Sequence, residues 1–126
     1  MTVRRILVVD DDDSIREVAQ MSLEMVGGHE VITAGSGADG ILYARDRRPD
    51  AILLDVMMPE MDGPATFGRL QADAATRDIP VILLTAKLQP ADRARFAGLG
   101  VRAVLSKPFD PMMLSDEVAE ILGWPR

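Results

Sequence analysis

Four aspartates stand in a row, Asp10 to Asp13, directly after the apolar run Ile6-Leu7-Val8-Val9. Asp55 ends the apolar run Ala51-Ile52-Leu53-Leu54, and Thr85 ends Val81-Ile82-Leu83-Leu84. Lys107 follows Val101–Leu105 and Ser106, and precedes Pro108. Brought together, Asp10, Asp11 and Asp55 would make a hard, oxygen-rich pocket. Like charges that close raise one another's pKa unless a cation neutralises them. Mg²⁺ suits such a pocket, because it binds through one or two carboxylates, keeps several waters and accepts a phosphate oxygen as a further ligand. Beside it a carboxylate can attack phosphorus and form an acyl phosphate, a reaction that asks mainly for positioning and charge neutralisation. Lys107 would pair with one phosphoryl oxygen, and the Thr85 hydroxyl would hydrogen-bond another. Asp55 is the best-placed nucleophile, on a central strand between the other groups.

These residues are useful only if the chain brings them to one edge, and the pattern of elements predicts that it does. Ile6–Val9, Val31–Ala34, Ala51–Leu54, Val81–Leu84 and Val101–Leu105 are short, β-branched or aliphatic runs that read as buried strands. Between them lie helical patterns. Ser14-x-x-Glu17 has the form of a capping box, and Ile15, Val18, Ala19, Ser22, Met25 and Val26 follow at helical spacing up to Gly27-Gly28. Gly35 to Gly40 reads as a turn, with Ile41 to Arg47 helical and Pro49 ending it. Helices follow from about Pro64 to Ala72 and from Pro90 to near Gly98. Asp110-Pro111 looks like a cap followed by proline in the first helical position, with Leu114, Val118, Ile121 and Leu122 lining one face of the last helix. Apolar strands alternating with helices imply an α/β fold with a parallel sheet covered on both faces. In such sheets ligands bind beyond the carboxyl ends of the strands, where the acids, Thr85 and Lys107 fall.

Composition narrows the remaining classes. The chain has 126 residues, 48% of them hydrophobic and 27% charged, which fits one domain spanning 1–126 with no linker or repeat and no segment left for an output domain. With no cysteine there is no disulfide framework and no thiol chemistry, and a cytoplasmic home is expected. The longest apolar runs are far short of a membrane span. A net charge of −6 argues against direct binding to nucleic acid.

The segments Ile6-Leu7-Val8-Val9-Asp10-Asp11, Leu53-Leu54-Asp55-Val56-Met57-Met58-Pro59-Glu60-Met61-Asp62-Gly63, Leu83-Leu84-Thr85-Ala86-Lys87 and Ser106-Lys107-Pro108-Phe109, in that order, resemble the receiver domain of two-component response regulators, of the single-domain, chemotaxis-receiver-like type. The resemblance covers the whole chain. It implies a flavodoxin-like doubly wound sheet of five parallel strands in the order 2-1-3-4-5 with five helices. It implies that Asp55 takes a phosphoryl group from a sensor histidine kinase or a histidine phosphotransfer protein. It implies Mg²⁺ held by Asp11 and Asp55 directly, by Asp10 largely through water and by the Met57 backbone carbonyl. Thr85 would be the switch hydroxyl, Lys107 the phosphate-sensing cation, and the Lys107–Pro108 peptide would be cis. Met57 and Lys87 would flank the path of attack. The family's aromatic switch position is Val104 here, so a flipping ring is not the signal. The readout would be an unidentified downstream protein meeting the fourth helix, fifth strand and fifth helix, with Arg93, Arg95, Arg102, Asp116, Glu117 and Glu120 as candidates for that surface. The resemblance leaves open a homodimer through the same face.

Plainer readings stand beside these. Asp12 and Asp13 read as helix-capping acids only, and each surface charge by itself reads as a solvated face. His29 reads as a turn or surface residue, Met57, Met58 and Met61 as gap-filling packing, and Phe109 and Trp124 as packing anchors. Gly35-Ser36-Gly37-Ala38-Asp39-Gly40 is a literal G-x-G-x-x-G. It lies in the second strand–helix unit, however, where the acids after strand one would repel a pyrophosphate, and Gly37 is read as the turn glycine. A phosphatase of the haloacid-dehalogenase type would need an acid where Met57 stands. A constitutive interaction module would be expected to have lost an acid, Thr85 or Lys107. The reading that survives is a receiver that acts only on its own phosphoryl group and is not an enzyme with a separate substrate.

Overall fold

A computed structural model describes residues 3–86 and 89–125. Five strands, β1 (Arg5–Val9), β2 (Glu30–Ala34), β3 (Ala51–Asp55), β4 (Val81–Thr85) and β5 (Ala103–Ser106), alternate with five helices. The helices are α1 (Asp13–Met25), α2 (Gly37–Arg47), α3 (Gly63–Ala72), α4 (Pro90–Ala97) and α5 (Leu114–Leu122). The strands pair in parallel in the order β2-β1-β3-β4-β5, as expected of the flavodoxin-like topology. The register sets Val9 beside Leu54, Asp55 beside Leu84 and Thr85 beside Ser106, so all carboxyl ends open on one edge.

Side chains alternate between the two faces of the sheet. Ile6, Val8, Leu53, Ile82 and Leu84 pack with Ala19 and Leu23 of α1 and Leu114 and Val118 of α5. Leu7, Val9, Ile52, Leu54 and Leu83 pack with Ala44 of α2, Phe67 and Leu70 of α3 and Phe96 of α4. All five residues of β3 and of β4 are buried, which is why these strands read as unbroken apolar runs.

Several boundaries differ from the sequence reading, each for a local reason. Asp12, not the Ser14–Glu17 box, caps α1, its carboxylate accepting from the backbone N–H of Ser14 and Ile15. Helix α2 starts at Gly37 rather than Ile41, because Ser36 caps it by accepting from the Asp39 N–H. Gly37 is therefore not a turn glycine; a Cβ there would lie 2.3 Å from Thr66 Oγ1, so the missing side chain lets α2 close on α3. Strand β5 starts at Ala103 and runs to Ser106. Pro111 is not the first residue of α5: the Asp110 carboxylate caps a separate turn through Met112 N–H, and α5 begins at Leu114.

Candidate functional site

Asp10 follows β1 and is fully buried. Its N–H donates to Ala34 O at 3.1 Å, tying the end of β1 to β2. The chain then turns back on itself, with the Asp12 N–H donating to Asp10 Oδ1 at 2.9 Å. Asp11, between them, is exposed. Asp55 closes β3 with only 3% of its surface exposed. The loop after it is pinned by Val56 N–H to Leu84 O and by Gly63 N–H to Val56 O, each at 2.9 Å. A Cβ on Gly63 would come within 2.5 Å of the Asp55 carbonyl oxygen, so only glycine lets the start of α3 approach the acid's own backbone. Lys107 is anchored by its N–H to Thr85 O at 2.8 Å, and the Lys107–Pro108 peptide is cis.

Carboxylate oxygens of Asp10, Asp11 and Asp55 all lie within 4.8 Å of one another. Lys107 Nζ donates to Asp55 Oδ1 at 2.8 Å and lies 2.7 Å from Asp10 Oδ2, bridging two buried acids with an ammonium that is itself only 11% exposed. Among the described residues, Lys107 is the cation lining this open pocket of ≈ 650 Å³ together with Asp10, Asp11 and Asp55. Burial pushes Asp55 up to about 6. The Lys107 hydrogen bond opposes this, Asp10's charge adds to it, and the Met57 N–H helps hold the carboxylate down. Burial alone would lower Lys107, but its bonds to Asp10 and Asp55 outweigh that and hold the ammonium above its ordinary value. The pocket therefore carries excess negative charge on hard oxygen donors at short range, which is the donor set a small divalent cation needs.

The sequence-predicted residues do not all share this pocket. Asp10, Asp11, Asp55, Met57 and Lys107 line it. Thr85 is buried and lines an adjoining pocket of ≈ 270 Å³ with Val56, Asp92, Arg95 and Phe96; Met57 and Ala86 face both spaces. Met57 is 76% exposed, so it is not core packing, whereas Met58 is buried. Val104 packs against the core beneath α4. Phe109 and Trp124 pack against the α1–α5 core, as anchors. His29 is half-buried rather than a surface residue, accepting from Arg4 N–H at Nδ1 and lying 5.8 Å from the Trp124 ring. Lys87 lies outside the described residues. Arg16, which no sequence motif singled out, donates to the Asp10 carbonyl.

The model of the response regulator receiver domain family matches residues 6–119. The chain belongs to this family. It is a receiver domain of two-component signalling. It is 37% identical over 119 residues to Protein PilH of Pseudomonas aeruginosa, covering 94% of this chain and 98% of PilH. It is 38% identical over 118 residues to the probable transcriptional regulator ycf27 of Pyropia yezoensis, covering 94% of this chain but 47% of that protein. The receiver thus spans about half the length of most of the curated relatives it matches. Among solved structures, the chemotaxis protein CheY4 of Vibrio cholerae superposes with a TM-score of 0.88 at 29% identity, covering 95% of this chain and 99% of that one. The receiver domain of sensor histidine kinase PA1611 from Pseudomonas aeruginosa, solved with a magnesium ion coordinated in its active-site cleft, superposes at 0.85 with 29% identity, covering 97% and 99%. No helix among the described residues is long and apolar enough to cross a membrane.

Proposed function

We propose that this receiver accepts a phosphoryl group on Asp55 in a Mg²⁺-dependent reaction, from a sensor histidine kinase or histidine phosphotransfer protein. The observation that carries the reading is the clustering of three carboxylates, two of them bridged by the Lys107 ammonium, at the carboxyl edge of the sheet. Asp11 and Asp55 would hold the ion, with Asp10 mainly through water and the Met57 carbonyl as a further donor. When bound, Mg²⁺ neutralises the acids and the incoming phosphoryl oxygens. The relative solved with magnesium in its cleft supports that choice of ion.

Asp55 supplies the attacking oxygen. A bond forms from its carboxylate oxygen to phosphorus as the bond from phosphorus to the donor's nitrogen breaks, and that electron pair leaves with the imidazole. Lys107 already lies at hydrogen-bonding distance from the attacking carboxylate. It would turn its ammonium to a phosphoryl oxygen once Asp55 carries the acyl phosphate. The Thr85 hydroxyl would swing from its own pocket to another phosphoryl oxygen, and Val104, a branched, half-buried aliphatic side chain packed against the core, would fill the space behind it. The output is a changed surface on α4, β5 and α5, read by a protein partner. The chain acts only on its own phosphoryl group: a hydrolase with a separate substrate needs an acid where Met57 stands.

The test is intact mass after incubation with Mg²⁺ and a small-molecule acyl phosphate. The wild type is expected to gain the mass of one phosphoryl group, labile to alkali, and Asp55→Ala to gain none. An unmodified wild type under conditions where Mg²⁺ binding is measured refutes the reading for small donors. The cognate kinase then becomes the decisive donor.

A further inference from the structure

We infer that Arg16 is a positioning residue for the acid pair Asp10–Asp11, an inference that rests on reading the pocket as a Mg²⁺ site. Arg16 projects from the first turn of α1, and its side chain is 21% exposed. Nη1 donates to the Asp10 carbonyl oxygen at 2.6 Å, and Nη2 donates to Asp13 Oδ1. The guanidinium also lies against the turn between β2 and α2, where a Cβ on Gly35 would come within 3.3 Å of Nη1. One side chain therefore ties the end of β1, the start of α1 and the β2–α2 turn.

The segment it holds is the one that carries the acids. Asp10 is held at four points: its N–H on Ala34 O, its Oδ1 under the Asp12 N–H, its Oδ2 against Lys107 Nζ, and its carbonyl on Arg16. Asp11, exposed and without such ties of its own among the described contacts, takes its position from the two residues beside it. The planar guanidinium fork satisfies a carbonyl and a carboxylate together in fixed geometry, which a lysine ammonium on a flexible stem does not. Arg16 touches neither the pocket nor the reacting atoms; it acts through the backbone of Asp10.

Charge and geometry make opposite demands, and this makes the inference testable. If Arg16 mattered only as a positive charge near the acids, Arg16→Lys would leave Mg²⁺ affinity unchanged and Arg16→Ala would raise it. If it positions the acids, both variants weaken Mg²⁺ binding, by roughly tenfold, the scale seen when a partner just outside a metal's own ligands is lost. Mg²⁺ affinity is measured by calorimetric titration on wild type, Arg16→Lys, Arg16→Ala and Asp13→Asn, with urea unfolding to verify that each variant is folded. The Mg²⁺ concentration for half-maximal autophosphorylation is expected to shift by the same factor, with the rate at saturating Mg²⁺ unchanged. Asp13→Asn, which keeps Arg16 but slackens one prong, is expected to fall between wild type and Arg16→Lys. Unchanged affinity in Arg16→Lys with normal binding by wild type overturns the role of Arg16 alone. A wild type that binds no Mg²⁺ overturns the site reading and this inference with it.

Discussion

Replacing Lys107 by methionine keeps the aliphatic stem and removes the one cation between two buried acids, and the cost of that change should depend on pH in a defined direction. Lys107 Nζ lies 2.8 Å from Asp55 Oδ1 and 2.7 Å from Asp10 Oδ2, with those carboxylates 5% and 0% exposed. Removing one partner of a buried ion pair leaves uncompensated charge and costs about 3 kcal/mol or more. Asp55 has an escape, because burial already holds it at about 6 against 3.8 for the free side chain. A carboxylate raised in this way binds its proton more tightly folded than unfolded. Its contribution to stability is greatest below pH 3.8 and is lost as pH rises through about 6. Lys107→Met removes both the hydrogen bond and the charge that hold Asp55 down, so the window of loss extends above 6. In metal-free buffer the variant should be less stable than wild type by about 3 kcal/mol at pH 8. At pH 5, where Asp55 carries its proton, the Asp55 part of the loss disappears while the lost pairing with buried Asp10 remains, so the difference should be smaller than at pH 8 but not vanish. Urea unfolding at both pH values, with EDTA present, measures it. An equal loss at pH 5 and pH 8, or no loss at either, refutes the electrostatic reasoning.

On the proposed reading of the pocket as a Mg²⁺ site, the same shift on Asp55 sets the pH dependence of binding: the ion would have to displace the proton, so affinity should rise with pH through about 6 and be roughly tenfold weaker at pH 5 than on the plateau, as calorimetry at several pH values would register. Gly37→Ala should destabilise by about 1–3 kcal/mol despite alanine's better helix propensity, since the new Cβ meets Thr66 Oγ1 at 2.3 Å. Adding Thr66→Ala should restore part of that loss, and strict additivity in the double variant would refute the steric account. Burial and Arg4 lower the pKa of His29 while Asp50 opposes them, so the stability tied to its neutral ring should be lost as pH falls below 6.5. Trp124, the sole tryptophan, lies tilted beside that ring and should report the change in its fluorescence; an identical pH profile in His29→Gln would exclude His29 as the source.

The candidate site's edge is legible in the sequence because its residues sit where strands end, and strand ends are marked by abrupt changes of polarity. Ala51–Leu54 running into Asp55 and Val81–Leu84 running into Thr85 fix both the element and the direction in which its last side chain is delivered. The β2–α2 connection was misread because Gly35, Ser36, Gly37 and Gly40 have loop-like composition. Two of those glycines are instead required by packing, Gly37 against Thr66 and Gly40 against Val9, and such contacts leave no local trace. At Asp110-Pro111 a genuine capping signal shaped only one turn before Leu114 began the helix proper. Thr85 was correctly put at a strand end, yet its pocket adjoins that of Asp55, a distinction of a few ångströms that spacing does not encode. Arg16 escaped notice because its chief partner is a backbone carbonyl, which any residue presents.

The sheet is uneven in how tightly it is held. Every residue of β3 and β4 is buried, while β5 at the edge has three half-buried residues and one exposed. Amide exchange should accordingly be slowest at the centre and fastest at that edge. Asp55 thus stands in the most buried part of the sheet and Lys107 just past one of its two less buried edges, the other being β2. A disturbance of the contact between them would be expected to move β5 and its neighbours more than Asp55, and amide exchange in a Lys107 variant, faster at β5 but unchanged at β3, would register it.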